Sequence, residues 1–341
     1  MIEIKARGII KIAETTYKLK NYKYYHYPPK VPKHIDIEVT NICNLRCIMC
    51  PSDKHKRKRS FMEFELYTKI IDELDQLGIK SVWLQVLGEP LIHKDIIRMV
   101  RYAKEKRGIG RLGFSTNCNF LTPEISRELI ESRVDRLIFA IDAATESTYN
   151  LIRVGGNYHE TVKNIETFFQ IRKKLNISEP SVRLQFIVMQ QNKNEIDDFR
   201  DYWQNKIGER DQIAFKPCDN WAATVENFIL LEQKQMNVSF EAWKSRMGEI
   251  NGRNKKVSIT YRTPCHGFLF TGGSILSNGD FTVCGLDIEG EMKLGNISEN
   301  SIHELWNGRI IHHIREKHMS NKVDEFNLCK NCSRTYRSLS I

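Results

Sequence analysis

At 341 residues, with 41% hydrophobic and 28% charged side chains, the chain has the length for one barrel-sized domain plus an appendage and the composition of a globular protein. No apolar run reaches the length of a membrane span and the N-terminal segment lacks an apolar signal region, so a cytoplasmic protein without membrane contact is expected. Lys and Arg number 52 against 42 Asp and Glu, a net charge of +10 that favours acidic partners, yet no nucleic-acid-binding motif accompanies it. Nine cysteines, an odd count in tight groups, point to metal rather than to disulfides.

Residues 1–33 read as an extension: Ile9, Ile10, Ile12 and Ala13 among lysines suggest a short basic amphipathic helix, followed by an aromatic, Pro-rich stretch that packs on the outside of the domain. From residue 34 onward strands and helices alternate. The spacing predicts strands at 35–40, 81–87, 110–116, 136–141, 182–189 and 212–216, with helices between them. Ser60 with Glu63 has the form of a capping box opening a helix whose Phe64, Tyr67, Ile71 and Leu74 share one face. Thr122-Pro123-Glu124 offers a cap, a first-turn proline and an acid in order. Six such alternations within 34–220 argue for a parallel sheet, either open and doubly wound or curled into a barrel.

Directly after the first strand stands Cys43-Asn44-Leu45-Arg46-Cys47-Ile48-Met49-Cys50, three thiols spaced C-x3-C-x2-C. Three thiolates are one short of what a four-iron cluster takes from protein, so one iron would remain open; a zinc site is the alternative for such short spacings. The basic run Lys54-His55-Lys56-Arg57-Lys58-Arg59 follows, either a docking surface for an acidic electron donor such as flavodoxin or ferredoxin, or a solvated loop. Small and polar residues gather at later strand ends: Gly88-Glu89-Pro90, Ser115-Thr116-Asn117 and Asp142. Singly, each is an ordinary turn or cap residue.

Residues 221–262 are charged and helix-prone and read as a connecting segment to a small domain at 263–341. There Ser277-Asn278-Gly279-Asp280 marks a hairpin with Cys265 before it and Cys284 after it, and Cys329 and Cys332 follow. Four thiols complete one iron-sulfur cluster; a structural zinc is again the alternative.

Taken together, the cysteine triplet and the strand-end residues resemble the radical S-adenosylmethionine (SAM) superfamily. The resemblance implies an α/β fold, a partial (β/α)6 TIM-like barrel with active groups at the C-terminal strand ends. It implies a [4Fe-4S] cluster on Cys43, Cys47 and Cys50 whose open iron takes SAM, and a 5'-deoxyadenosyl radical that removes a substrate hydrogen. By the same resemblance Gly88, Glu89 and Pro90 meet the SAM amino group, and Ser115, Thr116 and Asn117 approach its ribose and carboxylate. Asp142 meets ribose or substrate, and Arg153 pairs with the SAM carboxylate.

The C-terminal pattern is similar to the Twitch/SPASM auxiliary-cluster domain. Cys332 is the last cysteine, which favours the shorter Twitch form with one auxiliary [4Fe-4S] cluster on Cys265, Cys284, Cys329 and Cys332. The implied activity is hydrogen abstraction from a small sugar-like substrate, a carbohydrate or cyclitol that is free or nucleotide-linked, giving epimerisation or alcohol oxidation. A peptide substrate is the second class, and a nonenzymatic iron-sulfur or zinc module the third. Cys118 and Cys218, expected at the active rim, are candidate hydrogen donors, with Lys216 and Asp219 as candidate proton acceptors.

Overall fold

Alternation of polar and apolar residues builds the central sheet, and it is clearest in one strand. In the computed structural model, which describes residues 27–218, 221, 258–265, 268–330, 332 and 336–340 together with 11, 15 and 16, β5 (Ser181–Val188) buries Val182, Leu184 and Phe186 while Ser181, Arg183 and Gln185 stay half-exposed. The buried set faces the helices: Phe186 meets Phe199 edge-on at 5.0 Å, as Phe139 meets Phe168 at 5.1 Å. The alternate set faces the other side of the sheet.

Five further strands run parallel to β5. They are β1 (His34–Ile37), β2 (Ser81–Trp83), β3 (Arg111–Thr116), β4 (Arg136–Ala140) and β6 (Gln212–Pro217), ordered β1-β2-β3-β4-β5-β6. Between them lie α1 (Phe64–Leu77), α2 (Ile96–Lys104), α3 (Pro123–Glu131), α4 (Glu146–Ile152), α5 (Tyr158–Lys174) and α6 (Ile196–Trp203). On α1, Tyr67, Ile71 and Leu74 are fully buried, each contributing about 1.5–3 kcal/mol. This is the expected α/β sheet of a partial barrel.

Three local expectations differ. The second strand, expected over 81–87, forms only over Ser81–Trp83. Thr122 does cap α3, accepting from the Ile125 amide at 3.3 Å. The Ser60–Glu63 capping box does not form: α1 starts after Glu63 with no side-chain cap, and Ser60 Oγ lies 2.8 Å from Ser277 Oγ. The first strand ends early because Thr40 turns to bridge Phe61, with its hydroxyl on the Ser60 carbonyl at 2.9 Å.

The C-terminal region is joined to the same sheet. After β7 (Ser258–Arg262) and the short helix α7 (Phe268–Thr271), β8 (Gly272–Ile275) pairs parallel to β1. The expected hairpin then turns into β9 (Asp280–Thr282), and β10 (Lys293–Asn296) adds an outer strand, making nine in all. Next come α8 (Ile302–Trp306), capped by a Ser301–Glu304 box, then α9 (Arg309–Met319), α10 (Asn327–Lys330) and β11 (Tyr336–Ser340), which pairs with β7. Trp306 Nε1 donates to the Pro29 carbonyl at 2.7 Å, so the Pro-rich stretch before β1 packs on α8. Apart from Lys11, which is helical, the basic helix expected near residues 9–13 lies outside the described residues, as does most of the connecting segment 221–262.

Candidate active site

The C-terminal ends of β1 to β6 converge on the cysteine loop. Cys43, Cys47 and Cys50 pack with Leu45, Met49, Ile152, Ile187, Met189 and Cys218 in one apolar patch. The loop is clamped from the side of α4, since the Arg46 and Ile48 amides donate to the Val154 and Ile152 carbonyls at 2.9 and 3.0 Å. It is clamped from β3 as well. Asn117 Nδ2 donates to Asn44 Oδ1 at 2.8 Å, and Asn44 Nδ2 donates to Asn119 Oδ1 at 3.0 Å. Asn119 in turn reaches Thr161 on α5 at 2.7 Å. Asn44 and Asn119 were not singled out by the sequence, where lone asparagines carry no signal beyond turn chemistry.

Burial pushes the Cys43 thiol up to about 12 and the Cys47 thiol up to about 11, and it raises Cys50 too. The three thiols feel one another electrostatically, so they share a site that suits a cationic metal centre. Among the described residues no three His, Cys, Asp or Glu side chains converge on a single ion. Three thiols leave one iron of a four-iron cluster open, whereas a closed structural zinc site takes four ligands.

Two further features stand beside the triplet. Gly88 has φ +73°, and a Cβ there would sit 2.3 Å from the Thr40 carbonyl oxygen, so no other residue fits this turn without moving backbone. Glu89, buried beside it and followed by Pro90, accepts from the Leu91 and Asn117 amides at 3.0 and 2.7 Å. Burial pushes its carboxyl up to about 7 despite those bonds. The second feature is Arg153, buried at the end of α4. It pairs with Asp142, lies 3.6 Å from Cys47 Sγ, and leaves Nε without a partner. A buried guanidinium with a spare N–H suits a carboxylate ligand.

Other predicted residues fall as follows. Ser115 stands on the sheet face away from the helices, its amide donating to Gln85 at 3.2 Å, while Thr116 is buried and accepts from the Cys118 amide at 3.0 Å. Asp142 adopts φ +61°, and its carboxylate is engaged by Arg153 and by the Ile187 amide at 2.6 Å. It joins the ends of β4 and β5 and aims Arg153, rather than offering a free edge to ribose. Cys118, expected at the rim, is wholly buried in the main core, with its thiol donating to the Thr116 carbonyl at 3.7 Å.

Lys216 and Cys218 alternate with Ile213 and Phe215, which pack on the core, and so face away from the helices. Cys218 touches the cysteine patch itself. Asp219 lies outside the described residues.

The basic run is only partly a surface. Arg57 makes a two-pronged pair with buried Glu38 at 2.7 Å on each arm, and Ser277 N donates to the same carboxylate at 3.1 Å. His55 is buried, and Arg59 donates to the Ser52 and Asn41 carbonyls. Lys54, Lys56 and Lys58 remain exposed. Two of the cations thus fasten the cysteine loop to β1 and to the hairpin of the C-terminal region.

In that region Cys284 and Cys332 pack with Leu286, Leu328 and Trp221. The Leu286 amide donates to Cys284 Sγ at 3.4 Å, and the Cys265 amide donates to His318 Nδ1 at 3.2 Å. Cys329 lies against Met292, with 3.9 Å between the sulfurs.

On the face away from the helices three arginines stand on adjacent strands: Arg111 on β3, Arg136 on β4 and Arg183 on β5. The sequence drew no attention to them, because which strands adjoin is not written in any one segment.

Residues 37–201 match the Radical SAM superfamily, and residues 265–333 match the SPASM iron-sulfur cluster-binding domain. Among curated proteins, the tungsten-containing aldehyde ferredoxin oxidoreductase cofactor-modifying protein of Pyrococcus furiosus is 30% identical over 175 residues, 51% of this chain and 48% of that one. GTP 3',8-cyclase of Limosilactobacillus fermentum is 27% identical over 208 residues, 58% of each chain. The chain thus spans about half the length of the curated relatives it matches.

Two solved structures share the fold. One is BtrN with AdoMet and 2-DOIA, with a TM-score of 0.56 and 16% identity over 89% of this chain and 93% of that one. The other is Streptococcus suis SuiB with precursor peptide SuiA, with a TM-score of 0.63 and 15% identity over 88% of this chain and 70% of that one.

Proposed function

From its membership of the radical SAM superfamily, with a C-terminal SPASM iron-sulfur cluster-binding domain, we propose that the chain removes a carbon-bound hydrogen from a carbohydrate or cyclitol and completes an epimerisation. The [4Fe-4S] cluster and SAM, when bound at the triplet, supply the 5'-deoxyadenosyl radical that starts the reaction. Gly88 lets the turn close on the Thr40 and Ile42 carbonyls, and Glu89, held beside it, offers the SAM amino group a carboxylate. Arg153, aimed by Asp142, takes the SAM carboxylate on its spare N–H.

The single observation that carries epimerisation is Cys218. It lies one residue beyond β6, in the alternation that faces away from the helices, and packs against the patch that holds Cys43, Cys47 and Cys50. A thiol there reaches the substrate radical from the side of β6. The S–H bond breaks, a new C–H bond forms on the opposite face, and one electron and one proton from the external reductant restore the thiol. Lys216, two residues before it on the same face, holds or passes that proton. Two relatives bear on the substrate only through their names: GTP 3',8-cyclase is named for a nucleotide, and BtrN is solved with 2-DOIA.

The test is incubation of reconstituted protein with SAM, reductant and a panel of free and nucleotide-linked sugars in deuterated water. The reading expects 5'-deoxyadenosine and an isomeric sugar carrying one solvent deuterium. A ketone product without isomer would move the chemistry to oxidation, and formation of 5'-deoxyadenosine with a peptide alone would exclude the sugar.

A further inference from the structure

The concave side of the sheet is not electrically uniform. On the β1 side stand Asp36 and Glu38; Glu38 is taken up by Arg57, and His34 bonds Asp36 at 2.5 Å. On the β3 to β5 side the outward-alternating positions are Arg111, Arg136 and Arg183. Arg111 is exposed, and the other two are half-buried.

None of the three makes an ion pair with any described residue. The polar contact of Arg183 is a 3.3 Å bond to Gln212 Oε1, and its Nε is buried without a partner. The three sense one another: burial, then the charges of Arg183 and Arg111, hold the Arg136 guanidinium below its usual value. Like charges gathered on a half-buried wall disfavour the empty fold and favour any anion that enters.

The neighbourhood sets an aromatic ring beside the arginines. Gly113 lies across from Arg136 in the β3–β4 register, and a Cβ there would fall 2.6 Å from the Trp83 ring. The indole therefore lies over the bare backbone of Gly113, next to the arginines. It gives an aromatic face beside a cationic one.

We propose that Arg111, Arg136 and Arg183 form an anion subsite inside the barrel that receives a phosphate or diphosphate group of the substrate. Register sets its distance from the reaction. Arg183 and Ile187 share one face of β5, and Ile187 touches the cysteine patch. Four residues at about 3.3 Å each place Arg183 about 13 Å below the radical site; by register Arg136 stands two residues below the Arg183 level and Arg111 two below that. That span suits a sugar carried on a diphosphate or nucleotide and is too long for a free monosaccharide. Arginine forks bind phosphate oxygens two at a time, so three stepped across adjacent strands suit an extended group such as a diphosphate. The proposal deepens the sugar reading above by naming the class of its anionic end, and it rests on that reading only for the identity of the reacting end.

The test therefore measures binding apart from turnover. Isothermal titration of SAM-saturated, reconstituted protein with inorganic pyrophosphate should show salt-sensitive binding. Arg136→Gln and Arg183→Gln should each weaken it about tenfold or more, while Lys54→Gln leaves it unchanged. Iron content and SAM affinity of the variants serve as fold controls. A second measurement needs no variant: pyrophosphate should protect Arg136 and Arg183 of the unaltered protein from phenylglyoxal, mapped by mass spectrometry, while exposed Arg127 reacts as before. Absence of pyrophosphate binding, equal binding by the variants, or protection of other arginines instead would overturn the subsite. Binding lost in the variants with no sugar turned over would uphold the subsite and reject the sugar reading.

Discussion

Arg153 is held between Asp142 and Cys47: one arm of its guanidinium pairs with the Asp142 carboxylate and the other lies 3.6 Å from the Cys47 sulfur. The remaining N–H, on Nε, is buried and unpartnered. This geometry connects the end of β4 to the cysteine loop, and under the function proposed above it sets the orientation in which a SAM carboxylate is met.

Asp142→Asn leaves the guanidinium buried with its charge uncompensated. A cost of about 3–5 kcal/mol is expected, by the usual penalty for breaking a buried pair from one side. Thermal unfolding should show the loss, and titration with SAM should show weaker binding even at full iron content. SAM affinity equal to that of the unaltered protein would mean Arg153 needs no such aim.

Gly88→Ala places a methyl group 2.3 Å from a backbone oxygen at a left-handed φ. Strain of this kind costs about 1–3 kcal/mol. Because the Glu89 amide donates to the Ile42 carbonyl at 2.8 Å, the displacement reaches the cysteine loop. Iron loading at the triplet should fall more than the unfolding temperature does, as read by iron assay and circular dichroism on one preparation.

Glu38 and Arg57 hold β1, the basic run and the hairpin together. Glu38→Met or Arg57→Met alone should each destabilise by about 3–5 kcal/mol. The double replacement should cost less than the two singles added, with a coupling of about 1 kcal/mol or more from urea midpoints. Strict additivity would show that the pair is not a unit.

Cys284→Ser removes one auxiliary thiolate and none from the triplet. Reconstituted protein should hold about eight irons and the variant about four. The variant should still cleave SAM to 5'-deoxyadenosine under strong reductant. Stoichiometric zinc in the unaltered protein would reject the auxiliary cluster.

Much of this architecture was legible because each strand repeats a two-residue pattern and each helix a longer one. Val182, Leu184 and Phe186 announce the buried face of β5, and Thr122-Pro123 announces the start of α3. Pairings between distant segments were not legible. Nothing in the local pattern of Gly272–Ile275 says that it will lie beside β1, and nothing in the basic run says that Arg57 will be taken by Glu38. Cys118 and Cys218 look alike in sequence as single thiols after strands. The tight turn after β3 sends the first into the core, while alternation along β6 turns the second toward the cysteine patch.

The most direct test of the central claim is label transfer from substrate carbon. A nucleotide-linked sugar deuterated at each ring carbon in turn, incubated with SAM and reductant, should yield 5'-deoxyadenosine carrying one deuterium from a single position. With Cys218→Ala the labelled 5'-deoxyadenosine should still form while the epimer disappears. Deuterium-free 5'-deoxyadenosine from every labelled sugar, or an undiminished epimer from Cys218→Ala, would contradict the account.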